Sequence, residues 1–576
     1  MARTMAHSAL AEDAITTTPP RTWRVPMHPE QSATDAHRVG RTHAVALTSA
    51  VPRPLRLLTL AVWIVAVGWA MHASLLRAYG DALSHELIAR RVTDSLNPGV
   101  GQLGTVWLPL PSLLLTPLVW IDPLWHSGLA GALLGGVFLQ LSIGALYRTG
   151  VLLGGTTMGW VAALVFLAAP NVVYVYVTPL LEVAALTFTC LCIAAAARVL
   201  EGLPRGEVQP DALFAAAFFA ACGMLSRYDN WMTGVLVGLG ILIATGWWLR
   251  DRLAVQAVAI CYALLPCSAL ALWFIYNWVI FGDPLAFFRG EYSSARIVAD
   301  LAANGVIPTI NGHPPEQGNP VHALLTYATA VFEVVGVVPL LLAVGGGIVA
   351  AVRMRRRPIA LIYPMLLGPL LFYVFALTTS QSVIVTRAAQ SGGIFNIRYG
   401  ATLAPLIALM AAAFVGFFGR HTRIGGAIIV ALVLVSGVAQ LFEPLGPVIV
   451  AEGRLQDRAL NAQASHTAAR WFKQQPHDGL TLMDDTLQPQ SKIIYTEGGH
   501  ALHEYIDSSD PVGWTAALAA IPPSITTVIT LSPTSREYRN DRVNRAVVRD
   551  GAIAGFARIY DDGEIVGFHR VKDGNA

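Results

Sequence analysis

The stretch 254–281, AVQAVAICYALLPCSALALWFIYNWVIF, decides the class of fold, because its 28 residues include no Asp, Glu, Lys or Arg. A helix rises about 1.5 Å per residue, so about 20 apolar residues are enough to cross a hydrocarbon core about 30 Å thick. Similar apolar runs recur along the chain, and hydrophobic residues make up 54% of the 576 residues. The sequence therefore predicts a polytopic α-helical membrane protein and excludes a string of soluble domains.

Charge density divides the chain into three regions. Residues 1–54 contain 10 charged residues and scattered prolines without hydrophobic periodicity, which predicts a disordered cytoplasmic tail. Residues 55–444 contain only 36 charged residues, whereas residues 445–576 contain 29 in a third of that length. We therefore expect a transmembrane domain over 55–444 and a separate extracytoplasmic domain over 445–576.

The C-terminal region has the pattern of a small α/β domain. A helical stretch over Leu455–Lys473 is followed by strand-like runs at Leu480–Met483 and Thr526–Leu531. Two final alternating segments flank Asp562-Gly563, a dipeptide typical of a tight β-hairpin turn. No phosphate-binding loop or nucleophile elbow occurs there, so the sequence predicts no second enzyme in this domain.

The middle region contains eleven predicted membrane spans. Basic clusters fall at alternate loops, which places those loops in the cytoplasm by the positive-inside rule. The clusters begin at Arg53, Arg148, Arg198, Arg250, Arg353 and Arg420. This parity places the N-terminus inside and the C-terminal domain outside. A proline-broken apolar stretch over 106–121 is predicted to be interfacial or re-entrant. The spans lie near 55–76, 127–147, 151–169, 179–198, 211–225, 231–249, 254–281, 322–351, 358–379, 399–418 and 423–443.

With this topology, most acidic residues of the middle region lie on the outer side. In the first outer loop, Asp81 and His85 are four positions apart and Glu86 follows, so a helix would place the first two on one face. These groups could act as a general base or as ligands of a divalent ion. They could equally be an N-capping Asp81 with a solvated His85 and Glu86.

Ionisable residues at three other outer span ends are candidates for the same site. Glu182 lies just inside an apolar span, where an ionisable group is costly and indicates function, although it could also be a snorkelling helix-end acid. Arg227 and Asp229 lie in a short turn and could form only an ion pair within an aromatic belt. Arg398 opens a later span and could bind phosphate or simply anchor a helix.

These motifs together resemble the GT-C membrane glycosyltransferases, most closely family 39, which includes protein O-mannosyltransferases and lipid A aminoarabinose transferases. The resemblance covers roughly residues 55–444 and depends on the order of the motifs and their shared side of the membrane. The motifs are Gly80-Asp81-Ala82, Ala89-Arg90-Arg91, the stretch 101–109 with Trp107, Ser226-Arg227-Tyr228-Asp229, Phe281-Gly282-Asp283-Pro284 and Arg398-Tyr399.

The resemblance implies an inverting transfer of one sugar from a polyprenyl-phosphate carrier to a hydroxyl acceptor on the extracytoplasmic face of the cell membrane. The acceptor would be a glycan, lipid or protein of the cell envelope. It implies that Asp81 is the catalytic base or its close partner, and that Arg227 or Arg398 stabilises the departing lipid phosphate. The other residues it implies in substrate binding are His85, Glu86, Arg90, Trp107, Glu182, Tyr228, Asp229, Asp283, Tyr292 and Tyr399.

One position departs from the family pattern. Many relatives carry two adjacent acids in the first loop, but here Ala82 follows Asp81. A second acidic role would have to fall to Glu86, Glu182 or Asp229. The resemblance also leaves open a divalent metal as cofactor.

The main alternative is a membrane transporter of a lipid-linked or small solute, because charges within a helical bundle also mark solute pathways. A transporter predicts an internal repeat and charges near the bilayer midplane. We find no inverted repeat, and the acids cluster at one membrane face. Nucleic acid is excluded as a main partner, because the net charge is only +3 and the basic residues are dispersed.

Overall fold

The computed structural model describes residues 23–24, 50–290, 293–389, 393–460, 463–476, 478–487, 490–535 and 538–571. Nearly all of the predicted disordered tail lies outside this range, as does Tyr292. In the tail, Trp23–Arg24 forms strand β1, which pairs antiparallel with strand β2, Glu207–Val208.

Helices make up most of the described chain. Their bounds in chain order are α1 Arg53–His72, α2 Gly80–Arg91, α3 Leu110–Val119, α4 Asp122–Ser127, α5 Leu129–Gly154, α6 Thr156–Leu167, α7 Pro170–Val175, α8 Leu181–Gly202, α9 Pro210–Met224, α10 Asp229–Leu249, α11 Arg252–Phe281, α12 Ala286–Arg289, α13 Ser294–Ala303, α14 Pro320–Val335, α15 Val337–Arg353, α16 Ile362–Met365, α17 Gly368–Thr378, α18 Ala404–Ala413, α19 Thr422–Leu441, α20 Val448–Leu460, α21 Gln463–Phe472, α22 Gln490–Glu497, α23 Pro511–Ala519 and α24 Arg542–Val547.

Local sequence explains where the longest of these helices begins and ends. The Asp251 carboxylate caps α11 by accepting a hydrogen bond from the Leu253 N–H at 2.9 Å. The helix ends at Gly282, whose φ of 75° lies in the left-handed region that favours glycine. The predicted run 254–281 is therefore helical throughout.

Within the described residues, seven helical segments are long and apolar enough to cross a membrane, or up to eight if the bent pair α14–α15 is one span. The chain is thus a multi-pass membrane protein whose apolar helices coincide with the predicted runs. Two of those runs form the shorter helices α6 and α9. The number of eleven spans and the orientation of the termini stay predictions.

Two segments show how the helices differ from simple spans. The predicted span 322–351 is divided into α14 and α15, which meet at 112° across Gly336. Helix α3 has 10 residues and rises only about 15 Å, about half the thickness of the hydrocarbon core. It is too short to cross alone, as expected of an interfacial or re-entrant segment.

Small residues let the helices of the bundle approach closely. At Gly135 of α5, an added Cβ would lie 2.0 Å from the Tyr176 carbonyl oxygen, and at Gly346 of α15, it would lie 1.7 Å from the Met410 carbonyl oxygen. Only glycine fits at these two contacts, the first with the turn after α7 and the second with helix α18. The buried core between these helices supports the loops that carry the charged residues.

The C-terminal region contains a five-stranded sheet in the order β4-β3-β5-β7-β6. Strand β3 is parallel to β4 and β5, and β7 is antiparallel to β5 and β6. The strands are β3 Leu480–Met483, β4 Tyr505–Ile506, β5 Ile525–Leu531, β6 Phe556–Asp561 and β7 Ile565–Arg570. The predicted strands and the Asp562-Gly563 hairpin therefore lie where the sequence places them.

Helix α20 joins this region to the membrane helices. Val448, Ile449 and Val450 are buried in the same hydrophobic core as the apolar helices, and the Ile449 N–H donates to the Asn171 side-chain oxygen at 2.8 Å. The domain boundary at 444–445 stays a prediction, but α20 packs with the helices before it.

Candidate functional site

A cavity of about 210 Å³ lies where α2 meets the ends of several apolar helices. Its walls come from widely separated parts of the chain, including the loop before α3, the start of α8 and the turn before α10. The lining includes Asp81, His85, Trp107, Glu182, Arg227, Tyr228, Asp229, Tyr373, Asn396, Arg398 and Tyr399. Nine of the predicted site residues are therefore brought together.

Asp81 is the accessible acid of this cavity. It lies in the first turn of α2, and the residue at the N-cap position is Tyr79, so the N-capping interpretation of Asp81 is wrong. A carboxylate in the first turn is stabilised by the positive end of the helix dipole. The Asp81 side chain is 42% exposed, which leaves it able to meet a substrate in the cavity.

Arg398 connects Asp81 to two buried acids. Its Nη2 pairs with the Asp81 carboxylate, its Nε donates to Glu182 at 3.0 Å, and its Nη1 donates to Glu452 at 3.3 Å. The Arg398 side chain is only 3% exposed. A buried charge must be paired with groups of opposite charge. Arg398 is therefore part of an ion-pair network and does not act only as a membrane anchor.

Arg227 forms the second cationic centre. Its Nη1 lies 2.7 Å from Glu182, its Nε donates to Asp229 at 3.0 Å, and its Nη2 donates to the Tyr373 hydroxyl at 2.5 Å. Glu182 thus bridges both arginines and is only 2% exposed, so the snorkelling interpretation is wrong. The Tyr399 ring lies between the guanidinium groups, with its centroid 4.8 Å from Arg227 and 5.3 Å from Arg398.

His85 lies on the same face of α2 as Asp81 but is buried. Its ring packs edge-on against Trp107 with centroids 4.5 Å apart. Burial lowers the pKa of His85 to about 4, so the imidazole is neutral at physiological pH. The interpretation of a solvated His85 is wrong, and the residue forms part of the cavity wall.

Three predicted site residues do not line the cavity. Glu86 is fully buried and accepts from Arg77 at 2.5 Å, because one position along a helix turns its side chain by about 100° from that of His85. Arg90 pairs with Asp94 at 3.0 Å and Asp122 at 2.9 Å. Asp283 accepts from the Leu285 N–H in a local turn. Their predicted roles in substrate binding are therefore not supported by position.

Sequence reasoning missed Tyr79, Tyr373 and Glu452. Glu452 lies in the C-terminal region, more than 50 residues after Arg398, and only the packing of α20 brings it to the site. An acid directly after the apolar run Val448–Ala451 is the one signal that could have found it. Tyr79 and Tyr373 have no such signal, because aromatic residues are common at membrane interfaces.

The arrangement joins a half-exposed carboxylate to two guanidinium groups held by buried acids. Such a carboxylate can accept a proton from a hydroxyl group, and a guanidinium fork can bind phosphate oxygens in pairs. In the part of the chain that the structure describes, no group of three His, Cys, Asp or Glu side chains could hold a metal ion. The divalent metal that the resemblance leaves open stays open, and we assign no chemical step to it.

A bundle of apolar helices with this charged site at the helix ends, followed by a small α/β region, is similar in fold to a solved structure. The crystal structure of ArnT from Cupriavidus metallidurans bound to undecaprenyl phosphate matches 93% of this chain and 99% of its own, with a TM-score of 0.56 and 12% identity. This match confirms the predicted resemblance at the level of the fold.

Two further solved structures match with lower TM-scores. ArnT from Cupriavidus metallidurans in the apo state has a TM-score of 0.48 and 14% identity over 94% of this chain and 99% of its own. The Archaeoglobus fulgidus oligosaccharyltransferase in the apo form has a TM-score of 0.42 and 10% identity over 90% of this chain and 75% of its own. No protein-family model matches the sequence, and a search of curated proteins found no match.

Proposed function

We propose that the protein is an integral membrane glycosyltransferase that transfers one sugar from a polyprenyl-phosphate donor to a hydroxyl acceptor on the extracytoplasmic face. The observation that carries this proposal is the placement of Asp81. It is the half-exposed end of a charge cluster in which Arg398 is buried and Arg227 is only slightly exposed. A proton acceptor therefore lies beside two phosphate-binding groups in one cavity.

The proposed reaction assigns each group one task. Arg227 and Arg398 hold the donor phosphate, and Asp81 accepts the proton of the acceptor hydroxyl. As the acceptor oxygen forms a bond to the anomeric carbon, the bond from that carbon to the phosphate oxygen breaks, and its electron pair leaves with the lipid phosphate. Attack opposite the leaving group inverts the anomeric centre. The arginine contacts tighten as negative charge grows on the phosphate.

The fold supports the choice of a lipid-linked donor. The matched ArnT structure contains undecaprenyl phosphate, and we extend that ligand class to this chain because its own cavity is lined by two arginines. The cavity wall also includes the aromatic residues Trp107 and Tyr228, which can pack against a sugar or the first prenyl unit. The identity of the sugar and of the acceptor is set by contacts that the charged groups alone do not specify.

The test uses the purified full-length protein in lipid nanodiscs. We expect the protein to bind undecaprenyl phosphate. With cell-envelope membranes as the source of acceptor, we expect it to release polyprenyl phosphate from one donor in a panel of polyprenyl-phosphate hexoses and pentoses. Vesicle-reconstituted protein that moves a donor across the bilayer without cleaving it would support the transporter alternative. If the protein neither binds undecaprenyl phosphate nor releases polyprenyl phosphate from any donor in the panel, the proposal is contradicted.

A further inference from the structure

Arg398 is held by carboxylates that differ sharply in exposure. Asp81, which meets Nη2, is 42% exposed, whereas Glu182 at Nε and Glu452 at Nη1 are 2% and 0% exposed. A ligand that enters the cavity can therefore replace Asp81 more readily than the two buried partners. The contact between Asp81 and Nη2 is the exchangeable one.

This exchange has a direct consequence for the proposed function. While Asp81 is paired with Arg398, its carboxylate oxygen is occupied by the guanidinium and cannot meet an acceptor hydroxyl at the same time. A donor phosphate that takes the Nη2 contact would free Asp81 to accept a proton from the acceptor. This exchange requires the Arg398 guanidinium to stay in position after its contact with Asp81 is broken.

We infer that Glu452 is a positioning residue that anchors Nη1 of Arg398 while Nη2 exchanges Asp81 for the donor phosphate. This inference deepens the proposed function and rests on it. Glu452 does not touch the substrate, since its side chain is fully buried. It acts through Arg398. Glu452 is distant from Asp81 in the sequence, and the tertiary structure brings this acidic group close to it.

The surroundings of Glu452 fit a fixed anchor. Its Oε1 accepts from the Asn396 N–H at 2.5 Å, in the same segment as Arg398, and from Gln456 at 3.3 Å. Its Oε2 accepts from the Tyr79 hydroxyl at 3.2 Å. Tyr79 stands two residues before Asp81, and its ring centroid is 4.9 Å from the Arg398 guanidinium. Glu452 thus connects the N-terminal end of α2 to the segment that carries Arg398.

The sign of the change in phosphate affinity when Glu452 is replaced distinguishes a positioning role from a purely electrostatic one. If Glu452 were only a nearby negative charge, its removal would weaken repulsion and make an anionic phosphate bind more tightly. If it positions Arg398, its removal lets the guanidinium shift toward Asp81, and phosphate binding becomes weaker. Burial raises the pKa of Glu452 to about 7, so measurements at pH 8 compare a charged Glu452 with its neutral variant.

The experiment measures undecaprenyl phosphate binding and donor turnover at pH 8 for the wild type, Glu452→Gln and Tyr79→Phe. We expect Glu452→Gln to bind undecaprenyl phosphate about 10-fold more weakly and to turn over more slowly at saturating donor, the order expected for one lost charge-assisted contact. Tyr79→Phe loosens Glu452 without changing its charge, so it should weaken binding in the same direction by a smaller factor.

Glu443→Gln is the matched control, because it removes an acid that pairs with Arg387 and does not line the cavity. It should leave binding and turnover unchanged. Equal or tighter phosphate binding by a folded Glu452→Gln would overturn the inference, and if that variant does not fold, unchanged binding by Tyr79→Phe would overturn it. A wild type that neither binds undecaprenyl phosphate nor cleaves a donor would instead contradict the proposed function.

Discussion

Replacing Asp81 by Asn removes the proposed base while leaving nearly the same shape. The side chain keeps an oxygen that can accept a hydrogen bond from Arg398, but an amide cannot take the proton of an acceptor hydroxyl. Loss of a general base typically lowers a rate by about 10² to 10⁴. This corresponds to about 2.7 to 5.4 kcal/mol in the activation barrier, at 1.36 kcal/mol for each factor of ten.

The structure predicts a much smaller effect of this substitution on stability. Arg398 keeps its contacts to Glu182 and Glu452 when Asp81 is neutral, so no buried charge is left unpaired. The Asp81 side chain is 42% exposed, and pairs screened by solvent contribute about 0 to 1 kcal/mol. Activity should therefore collapse while the melting temperature in detergent changes little.

The assay measures polyprenyl phosphate released per minute by purified protein, together with the melting temperature of each sample. Asp283→Asn is the matched control, because the Asp283 side chain accepts from the Leu285 N–H in a local turn, a contact that an Asn oxygen can also accept. We expect wild-type rates from this control. Wild-type turnover by Asp81→Asn would refute the assignment of Asp81 as base, and loss of folding in the same variant would refute the stability argument.

Four further outcomes are expected. Arg227→Lys should lower turnover by at least about tenfold while preserving charge, because one ammonium group cannot replace a fork that meets three partners at once; unchanged turnover would show an anchoring role only. Asp507→Asn should lower the melting temperature only slightly, because Arg91 loses the charge at 2.6 Å but keeps Asp485 at 3.5 Å, so no charge is left unpaired; a marked loss would show that Asp485 does not hold Arg91 alone. The pKa of His85 is lowered to about 4. The contribution of the neutral, buried imidazole to the free energy of unfolding is therefore fully present above pH 6.5 and is lost as the pH falls through 4. His85→Gln should therefore lose less melting temperature than the wild type between pH 7 and pH 4.5, and identical losses would contradict this. A reporter that is active only in the cytoplasm, fused after Ala576, should be silent if the C-terminal domain is extracytoplasmic, and a strong signal would overturn the predicted orientation.

The residues of the first outer loop show how far sequence spacing could go. The four-residue interval correctly placed Asp81 and His85 on one face of a helix, since the helical period is a local property. The same reasoning could not tell that Glu86 turns toward Arg77 or that His85 is buried against Trp107. Which face of a short helix is covered depends on partners that are distant in sequence.

The apolar runs determined that this is a helical membrane protein, because a bilayer requires each spanning segment to be apolar and to satisfy its own backbone hydrogen bonds. The alternation of the last strands and the Asp562-Gly563 turn likewise determined the C-terminal hairpin. Only the tertiary structure decided the site. Asp81 and Arg398 are 317 residues apart, and Glu452 reaches Arg398 because α20 packs into the helical core. Long-range ion pairs leave no periodic trace in a sequence, since each partner is one residue whose position is fixed by the packing of whole helices.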